Sequence, residues 1–201
     1  MTTQDIIDKF NLIVDDASEL SSGEELALLN DVYGDVCDDR EWEWLKSTAT
    51  GTTSTSVPYV ALPSDFKKIA PNEYNKSVVF VGTDYQPYRV VSFPDRRNYR
   101  DQSGFCYIDI PNQRLVFTLQ PTEVKDIEYD YIKIAPDLDI TSSDPLFRDG
   151  FRRMLAYGMA SRFPSIEQAD KATSYARENL GQYLNILSTM RQEDAEIKLS
   201  L

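Results

Sequence analysis

Two short stretches, Glu41–Leu45 (EWEWL) and Tyr59–Phe66 (YVALPSDF), decide the predicted fold of this chain of 201 residues. The first stretch closes a long acidic segment whose apolar residues recur at helical spacing. The second follows a Thr- and Ser-rich run over 47–58, which is typical of an edge strand or a loop. The chain is therefore expected to change from helix to β structure between these two stretches.

The segment that leads into the first stretch predicts two helices over residues 3–47. Ser22 and Glu25 have the spacing of a capping box, so the second helix is expected to start there. Trp42 and Trp44 are two positions apart and cannot share one helix face. We expect either one in the core and the other as an anchor in a subunit contact, or both packed between the helices and the β region.

After Phe66, several runs rich in β-branched and aromatic residues predict strands. These runs are residues 77–81, 88–92, 105–110, 114–119 and 127–134. The sequence Pro-Asn-Gln at 111–113 predicts a hairpin turn between the third and fourth runs. Alternation in the last run places Ile127, Tyr129 and Tyr131 on one face. The centre of the chain therefore predicts a small, mostly antiparallel β unit.

Two more helices are predicted over residues 144–190. Asp144, followed by a proline, has the pattern of a helix N-cap and first turn. A break at 163–165 predicts that these two helices form an antiparallel pair. Residues 191–201 are charged and predict a flexible tail, which could also add to a partner's sheet or dock as a short helix. The isolated apolar residues of this tail are Ile197, Leu199 and Leu201.

Together, these elements predict an α+β fold. The two N-terminal and two C-terminal helices would form a four-helix bundle, with the small antiparallel β unit inserted between them. Residues 1–190 are expected to form a single domain, with helices over 3–47 and 144–190 and the β insert over 49–135. The remaining residues, 191–201, would lie outside that domain as the tail.

The net charge of −12 is concentrated in one segment. From Asp15 to Glu43 there are eleven acidic residues and a single base, Arg40, which gives a net charge of −10. A strongly acidic protein does not hold nucleic acid by bulk electrostatics, but it could line a channel through which DNA slides without sticking. The candidate acidic channel or ring face consists of Asp31, Asp35, Asp38 and Asp39.

The residue types argue against the common catalytic sites. The chain has no histidine, which removes Ser–His and Cys–His pairs and all metal sites that need imidazole. Cys37 and Cys106 have no metal spacing around them and are expected to be small buried residues that form no disulfide. No apolar run approaches the roughly 18 residues of a transmembrane helix. The amino-terminal residues also lack a signal-peptide core, so a soluble protein is expected in the compartment where it is made.

One acidic group leaves an enzyme open as an alternative. The carboxylates of Asp35, Asp38, Asp39 and Glu41 could ligate a divalent cation, since hard cations prefer several carboxylate oxygens. Their spacing matches no calcium-binding loop, and a solvated acidic helix face is the simpler interpretation. A small carboxylate-based, metal-dependent enzyme therefore stays as an alternative function. No catalytic residue, cofactor or metal ligand is assigned.

Basic residues gather near the middle of the chain, where Arg96, Arg97 and Arg100 alternate with aromatic residues. Such a loop could bind single-stranded nucleic acid by stacking and phosphate contacts. The interpretation we favour is that these arginines meet an acidic surface of a neighbouring protein subunit. The candidate interface residues are Trp42, Trp44, Arg96, Arg97, Arg100, Arg148, Arg152, Ile197, Leu199 and Leu201.

The order of the motifs resembles the head–tail connector (adaptor) proteins of tailed bacteriophages, which form the ring beneath the portal. The resemblance covers residues 3–190. It rests on the following residues, in this order: Asn30, Tyr33, the Trp-rich turn at 42–45, Tyr59, Leu-Pro-x-Asp-Phe at 62–66, the strand and proline at 115–121, Tyr129-Asp130-Tyr131 and the closing pair of helices.

This resemblance implies a virion structural protein of the phage neck. It implies a ring of about twelve copies that joins the portal protein to a tail or nozzle protein, with DNA only as passing cargo. It carries no catalytic residues, no cofactor and no membrane partner. The implied location is the portal vertex of the virion, with host cytoplasm as the site of assembly. Another neck or tail-completion protein remains the alternative within this class.

Overall fold

A computed structural model of the protein describes residues 1–14, 20–71, 77–141, 143–163 and 169–200. The chain divides into two compact units. Unit 1 contains residues 1–45 and 135–201 and holds the α-helices, whereas unit 2 contains residues 46–134 and holds the β-sheet. The break that the sequence predicts at 163–165 lies largely outside the described residues.

Unit 1 has four α-helices among its described residues. They are α1 (Thr3–Val14), α2 (Ser22–Asp38), α3 (Asp149–Arg162) and α4 (Ala169–Ser200). The capping box of α2 exists, but it is formed by Ser21 and Glu24, one residue earlier than predicted. The predicted extension of this helix to residue 47 is wrong. The chain leaves the helix after Asp38 and forms a short 3-10 turn at Glu43–Leu45.

The start of α1 is capped by a residue that the sequence assigned to another helix. The Asp144 carboxylate accepts a hydrogen bond from the Thr3 backbone N–H at 3.0 Å, and the Thr3 hydroxyl donates to the Ser143 carbonyl at 2.6 Å. The first backbone N–H groups of a helix lack partners within it, so this contact satisfies one of them. The prediction that Asp144 begins the third helix is therefore wrong, and α3 begins at Asp149.

Helix α3 lies at the centre of unit 1 and packs against α1, α2 and α4. The residues that α3 buries include Met154, Leu155, Ala156 and Met159. Gly158 permits an especially close approach, since a Cβ atom there would lie 2.6 Å from Val32 Cγ1 of α2. With 32 residues, α4 is more than twice as long as α3, which has 14. It includes residues 191–200, where the sequence predicts a flexible tail, and their backbone is helical.

The described residues of unit 2 form one sheet of eight strands. They are β1 (Lys46–Thr52), β2 (Tyr59–Ala61), β3 (Phe66–Ile69), β4 (Val78–Val81), β5 (Gln86–Val91), β6 (Phe105–Asp109), β7 (Arg114–Phe117) and β8 (Asp126–Lys133). The order in the sheet is β1-β8-β4-β5-β6-β7-β2, and β3 also pairs with β8. Neighbours are antiparallel except for β5 and β6, which run parallel.

This sheet overturns the predicted fold class. The five predicted strands exist within one or two residues at each end, and the turn at 111–113 joins β6 and β7. However, the sheet is mixed and has eight strands, so the four-helix bundle with a small antiparallel insert is wrong. The difference arises mainly at residues 46–69, where three further strands form. The Thr-rich β1 pairs with β8 along its whole length.

The sheet curls until its two edge strands come close to each other. A Cβ atom at Gly51 of β1 would lie 3.2 Å from Val60 Cγ1 of β2. Inside the curl lies a buried apolar core with residues from most strands. As predicted, Ile127, Tyr129 and Tyr131 share its buried face, with exposed fractions of 2%, 2% and 5%.

Two smaller expectations can be compared with the structure directly. Cys37 and Cys106 are both buried, as the sequence predicts, and neither is part of a disulfide. In the part of the chain that the structure describes, none of the helices combines the length and the hydropathy needed to cross a membrane.

Candidate functional site

The YVALPSDF stretch is a framework element of unit 2. The Asp65 carboxylate accepts a hydrogen bond from the Tyr131 hydroxyl at 2.9 Å, and the Asp65 carbonyl accepts one from the Ile134 N–H at 2.6 Å. The ring of Phe66 stacks on that of Tyr131 with 5.8 Å between centroids. These contacts hold β3 against β8, so the motif helps to build the sheet.

The two tryptophans lie together within unit 1. Trp42 is fully buried and donates its indole N–H to the Val36 carbonyl at 2.6 Å. Its ring stacks on that of Trp44, and Trp44 also contacts the ring of Phe147 at 5.5 Å. Both residues follow the end of α2, so the helical spacing that separated them in the sequence does not apply.

Asn30 and Tyr33 also serve the framework. The Asn30 amide clamps the backbone of Leu138, donating to its carbonyl at 3.1 Å and accepting from its N–H at 2.7 Å. The Tyr33 hydroxyl accepts from the Leu146 N–H at 3.3 Å, and burial raises the pKa of this hydroxyl far above its ordinary value. Both side chains therefore hold the segment that leads to α3 against α2, at Leu138 and at Leu146.

The candidate acidic face is partly neutralised within the unit. Asp35 forms an ion pair with Arg162 of α3, and Asp39 forms a two-pronged pair with Arg191 of α4. The hydrogen bonds to Asp39 raise the pKa of the Arg191 guanidinium. Neither arginine was a sequence candidate, because helical spacing does not show which distant base will face a given carboxylate.

The two other carboxylates of this face differ in their surroundings. Asp38 is exposed and takes part in a contact of its own. Asp31 is exposed as well, and its carboxylate has no hydrogen-bond or ion-pair partner among residues 1–14, 20–71, 77–141, 143–163 and 169–200. Within the described chain, no group of three or more acidic or cysteine side chains is placed to hold a metal ion.

A buried ion network ties the end of α4 to the segment after α2. Asp194 is only 4% exposed, and its carboxylate accepts from the Glu43 N–H at 2.9 Å. The same carboxylate lies 3.0 Å from Lys198 Nζ and 3.6 Å from Arg40 Nε. No sequence pattern indicated Asp194, because two of its partners, Arg40 and Glu43, come from a distant part of the chain.

The apolar residues of the predicted tail have different positions. Ile197 lies on α4 near the buried ion network and is half exposed. Leu199 has helical backbone, and Leu201 lies outside the described residues.

Two of the candidate interface arginines make contacts within unit 1. Arg148 lies 3.2 Å from the Glu193 carboxylate. The Arg152 side chain is 19% exposed, donates to the Met1 carbonyl at 2.8 Å and lies 3.5 Å from the Asp144 carboxylate. Arg152 is therefore largely occupied in holding the chain near α1 to the start of α3.

The other three candidate arginines meet at one cavity of unit 2, which we call the arginine socket. Arg96, Arg97 and Arg100 line a cavity of about 380 Å³. Arg96 and Arg97 lie on a 3-10 helix, Pro94–Tyr99, that links the parallel strands β5 and β6, and Arg100 directly follows this helix. The remaining lining residues include Pro58, Tyr107, Val116 and Thr118. The sequence predicted this group, and the structure brings its members together.

The three guanidinium groups of the socket have different surroundings. Arg96 stacks over the Phe93 ring at 3.7 Å and donates to the Phe93 carbonyl. Arg100 lies 3.6 Å from Asp101, and both side chains are mostly exposed. Arg97 has no partner among the residues that the structure describes. Guanidinium groups bind carboxylates and phosphates in a two-pronged manner, so the socket suits an anionic partner.

The charge of the protein is divided unequally between the units. Unit 2 has 11 basic and 10 acidic residues, for a net charge of +1. Because the whole chain has a net charge of −12, unit 1 carries −13. The socket therefore lies on a nearly neutral unit, and the acidic surface belongs almost wholly to the other.

The motif residues build the framework, and the charged groups lie on open surfaces. This combination fits the class of structural adaptor proteins. The chain belongs to the SU10 adaptor protein family, whose model matches residues 1–198. This confirms the resemblance to phage head–tail adaptors and makes the protein a structural adaptor of a bacteriophage virion. No curated protein matches the chain.

Proposed function

We propose that the protein forms a ring in the neck of a tailed bacteriophage and joins the portal protein to the tail or nozzle protein. The observation that carries the proposal is the match of residues 1–198 to the adaptor family. The ring would hold about twelve copies, by resemblance to connector proteins. It would assemble in the host cytoplasm and remain at the portal vertex of the virion.

The surfaces of the two units support a head-to-tail contact between copies. A ring requires that one face of each subunit bind a different face of the next. Unit 1 carries −13 charges, and unit 2 offers an open cavity with three arginines. Complementary charges of this kind mainly set orientation and partner choice, which a ring of identical copies needs.

The same charge distribution supports passage of DNA through the ring. Phosphates are repelled by a surface with an excess of carboxylates, so DNA could slide past unit 1 without adhesion. Asp31 and Asp38 are the exposed members of the candidate acidic face that are not paired with Arg162 or Arg191. DNA would be passing cargo and not a bound ligand.

The C-terminal segment, residues 191–201, is proposed to contact the portal. Arg191 pairs with Asp39 and Lys198 donates to the Glu41 carbonyl, so both hold the last turns of α4 to the segment that follows α2. A helix end that is fixed in this way would present the final residues to a partner in a defined direction.

The proposal can be tested by imaging the protein mixed with its cognate portal protein. We expect particles in which a ring of the protein sits on one face of the portal. The protein alone need not form rings, because assembly can require the portal as a template. A mixture at saturating concentration that shows only bare portals would contradict the proposal.

A further inference from the structure

We infer that the arginine socket of one copy receives the Asp31 edge of α2 from the neighbouring copy. The inference rests on the proposed ring and names the partner of the socket. It narrows the proposed contact between unit 1 and unit 2 of neighbouring copies to defined side chains.

The socket carries positive charge that the chain itself leaves unused. Arg97 has no partner among the residues that the structure describes, and Arg100 faces only one exposed carboxylate, that of Asp101. Arg96 is held in place by the ring and carbonyl of Phe93, so its guanidinium is pre-organised for a ligand. The cavity beside them has an apolar wall that includes Val116, which suits a protein side chain better than a free ion.

Most carboxylates near the acidic face of unit 1 are already engaged. Asp35 pairs with Arg162, Asp39 pairs with Arg191, and Asp194 pairs with Lys198. Breaking any of these pairs to serve a neighbour would leave a base without its partner. Asp31, by contrast, is exposed, and within the described ranges its carboxylate has no partner.

The backbone around Asp31 is rigid, which favours a defined contact. The neighbouring side chain, Asn30, bonds both the N–H and the carbonyl of buried Leu138. Asp31 and Asp137 each lie one residue from this clamp, on the two segments that it joins. The Asp137 side chain is exposed, and its carboxylate also lacks a partner in the described part of the chain. The clamp thus fixes two available carboxylates in one region.

The charges of the units select among the contacts that identical copies can make. A contact of unit 1 with unit 1 brings together two surfaces of −13, and a contact of unit 2 with unit 2 gains nothing from a charge of +1. Only the contact of unit 1 with unit 2 joins opposite signs. This contact is also the head-to-tail kind that closes a ring.

The test uses two charge reversals, Arg97→Glu and Asp31→Arg, with full-length protein and cognate portal. Each variant alone is expected to need about tenfold more protein than the wild type to half-saturate the portal with rings. A 1:1 mixture should restore assembly to within about twofold, because alternating copies bring the two reversed charges together and the two native charges together. Arg89→Glu and Glu178→Arg are matched controls at exposed positions, and both should assemble normally.

The outcomes separate this inference from the proposed function. If wild-type protein forms no ring on the portal, the proposed function fails and the inference falls with it. If wild-type rings form and Arg97→Glu assembles equally well, only the inference fails. It also fails if the mixture does not recover, because the two faces then do not meet. Should either reversal prevent folding, as judged by circular dichroism, Arg97→Gln and Asp31→Asn must each weaken assembly, and normal assembly of either refutes the contact.

The socket could instead bind the phosphates of DNA, and the same variants decide this point. Fluorescence anisotropy with a labelled duplex should show no binding by wild-type protein beyond that of Arg97→Glu. Binding of the duplex that is lost in Arg97→Glu, while rings still form, would assign the socket to phosphate and overturn the inference.

Discussion

Replacement of Gly158 by alanine tests the packing at the centre of unit 1. Gly158 lies in α3, and a Cβ atom there would stand 2.6 Å from Val32 Cγ1 of α2 and 3.1 Å from Tyr183 Cδ2 of α4. Both distances are shorter than a normal carbon–carbon contact of about 3.5–4.0 Å. Three helices would therefore have to move apart to admit a single methyl group.

The expected cost can be worked out from two opposing effects. Alanine in a helix interior gains about 1 kcal/mol over glycine. Overpacking of a core costs about 1–3 kcal/mol, and the upper part of that range applies because Val32 is fully buried and stiff about its first side-chain torsion. We expect the free energy of unfolding to fall by about 1–2 kcal/mol. For a unit of about one hundred residues, this lowers the melting temperature by about 4–8 °C.

Tryptophan fluorescence measures this effect in unit 1 alone, because both tryptophans, Trp42 and Trp44, lie in that unit. Gly181→Ala is the matched control. Its Cβ would meet nothing within 4 Å, so it should raise the stability of unit 1 by about 0.5–1 kcal/mol. In a Val32→Ala background, Gly158→Ala should cost less than about 0.5 kcal/mol. The reasoning is refuted if Gly158→Ala stabilises the unit as Gly181→Ala does.

Three further predictions concern buried polar groups. Asp194→Asn should lower the free energy of unfolding by about 1–2 kcal/mol, because it removes the negative charge that faces two partly exposed cationic side chains. The substitution should also speed amide hydrogen exchange at residues 191–198, and unchanged exchange would contradict this. Tyr131→Phe should cost about 1 kcal/mol in urea unfolding, because the hydrogen bond to Asp65 is lost, and a change below about 0.3 kcal/mol would show that this bond does not stabilise β3. Burial raises the pKa of the Cys106 thiol and of the Tyr129 hydroxyl to about 12, so both groups hold their protons more tightly in the folded state. The contribution of these two protonated groups to stability is complete below their ordinary pKa values of about 9 and 10, and it is lost as the pH rises from there towards 12. The urea midpoint should therefore fall between about pH 9 and pH 11. A midpoint that does not change over this range would exclude the linkage.

Local sequence patterns predicted those strands whose side chains alternate. The alternation in the run at 127–134 predicts its buried face, and the corresponding strand β8 pairs with three others, β1, β3 and β4. The turn at 111–113 was equally readable, because a hairpin joins strands that are adjacent in sequence. Such features depend on a few consecutive residues, so they can be predicted without knowledge of the tertiary structure.

The features that the sequence did not reveal depend on distant partners. The threonines of β1 are compatible with a loop or a strand, and only pairing with β8 decides between them. The parallel pair of β5 and β6 requires a crossover, which the short 3-10 helix provides in an unexpected form. Asp144 has the pattern of a local helix cap, yet it caps α1, which is about 140 residues away in the chain.

The candidate sites show the same division. Arg96, Arg97 and Arg100 are close in sequence, so they could be predicted as one group, although the cavity that they line could not. The partners of Asp35 and Asp39 could not, because Arg162 and Arg191 come from helices near the other end of the chain. Which carboxylates remain available to a partner is therefore a property of the folded unit and not of the acidic segment.

An electron cryo-microscopy reconstruction of the virion neck tests the proposed role of the protein most directly. It should show a closed ring of this chain between the portal and the tail, with the arginine socket of each copy against α2 of the next. The proposed role would be contradicted if the neck showed no density for the protein, or if the protein were present only as isolated copies without contact between neighbours.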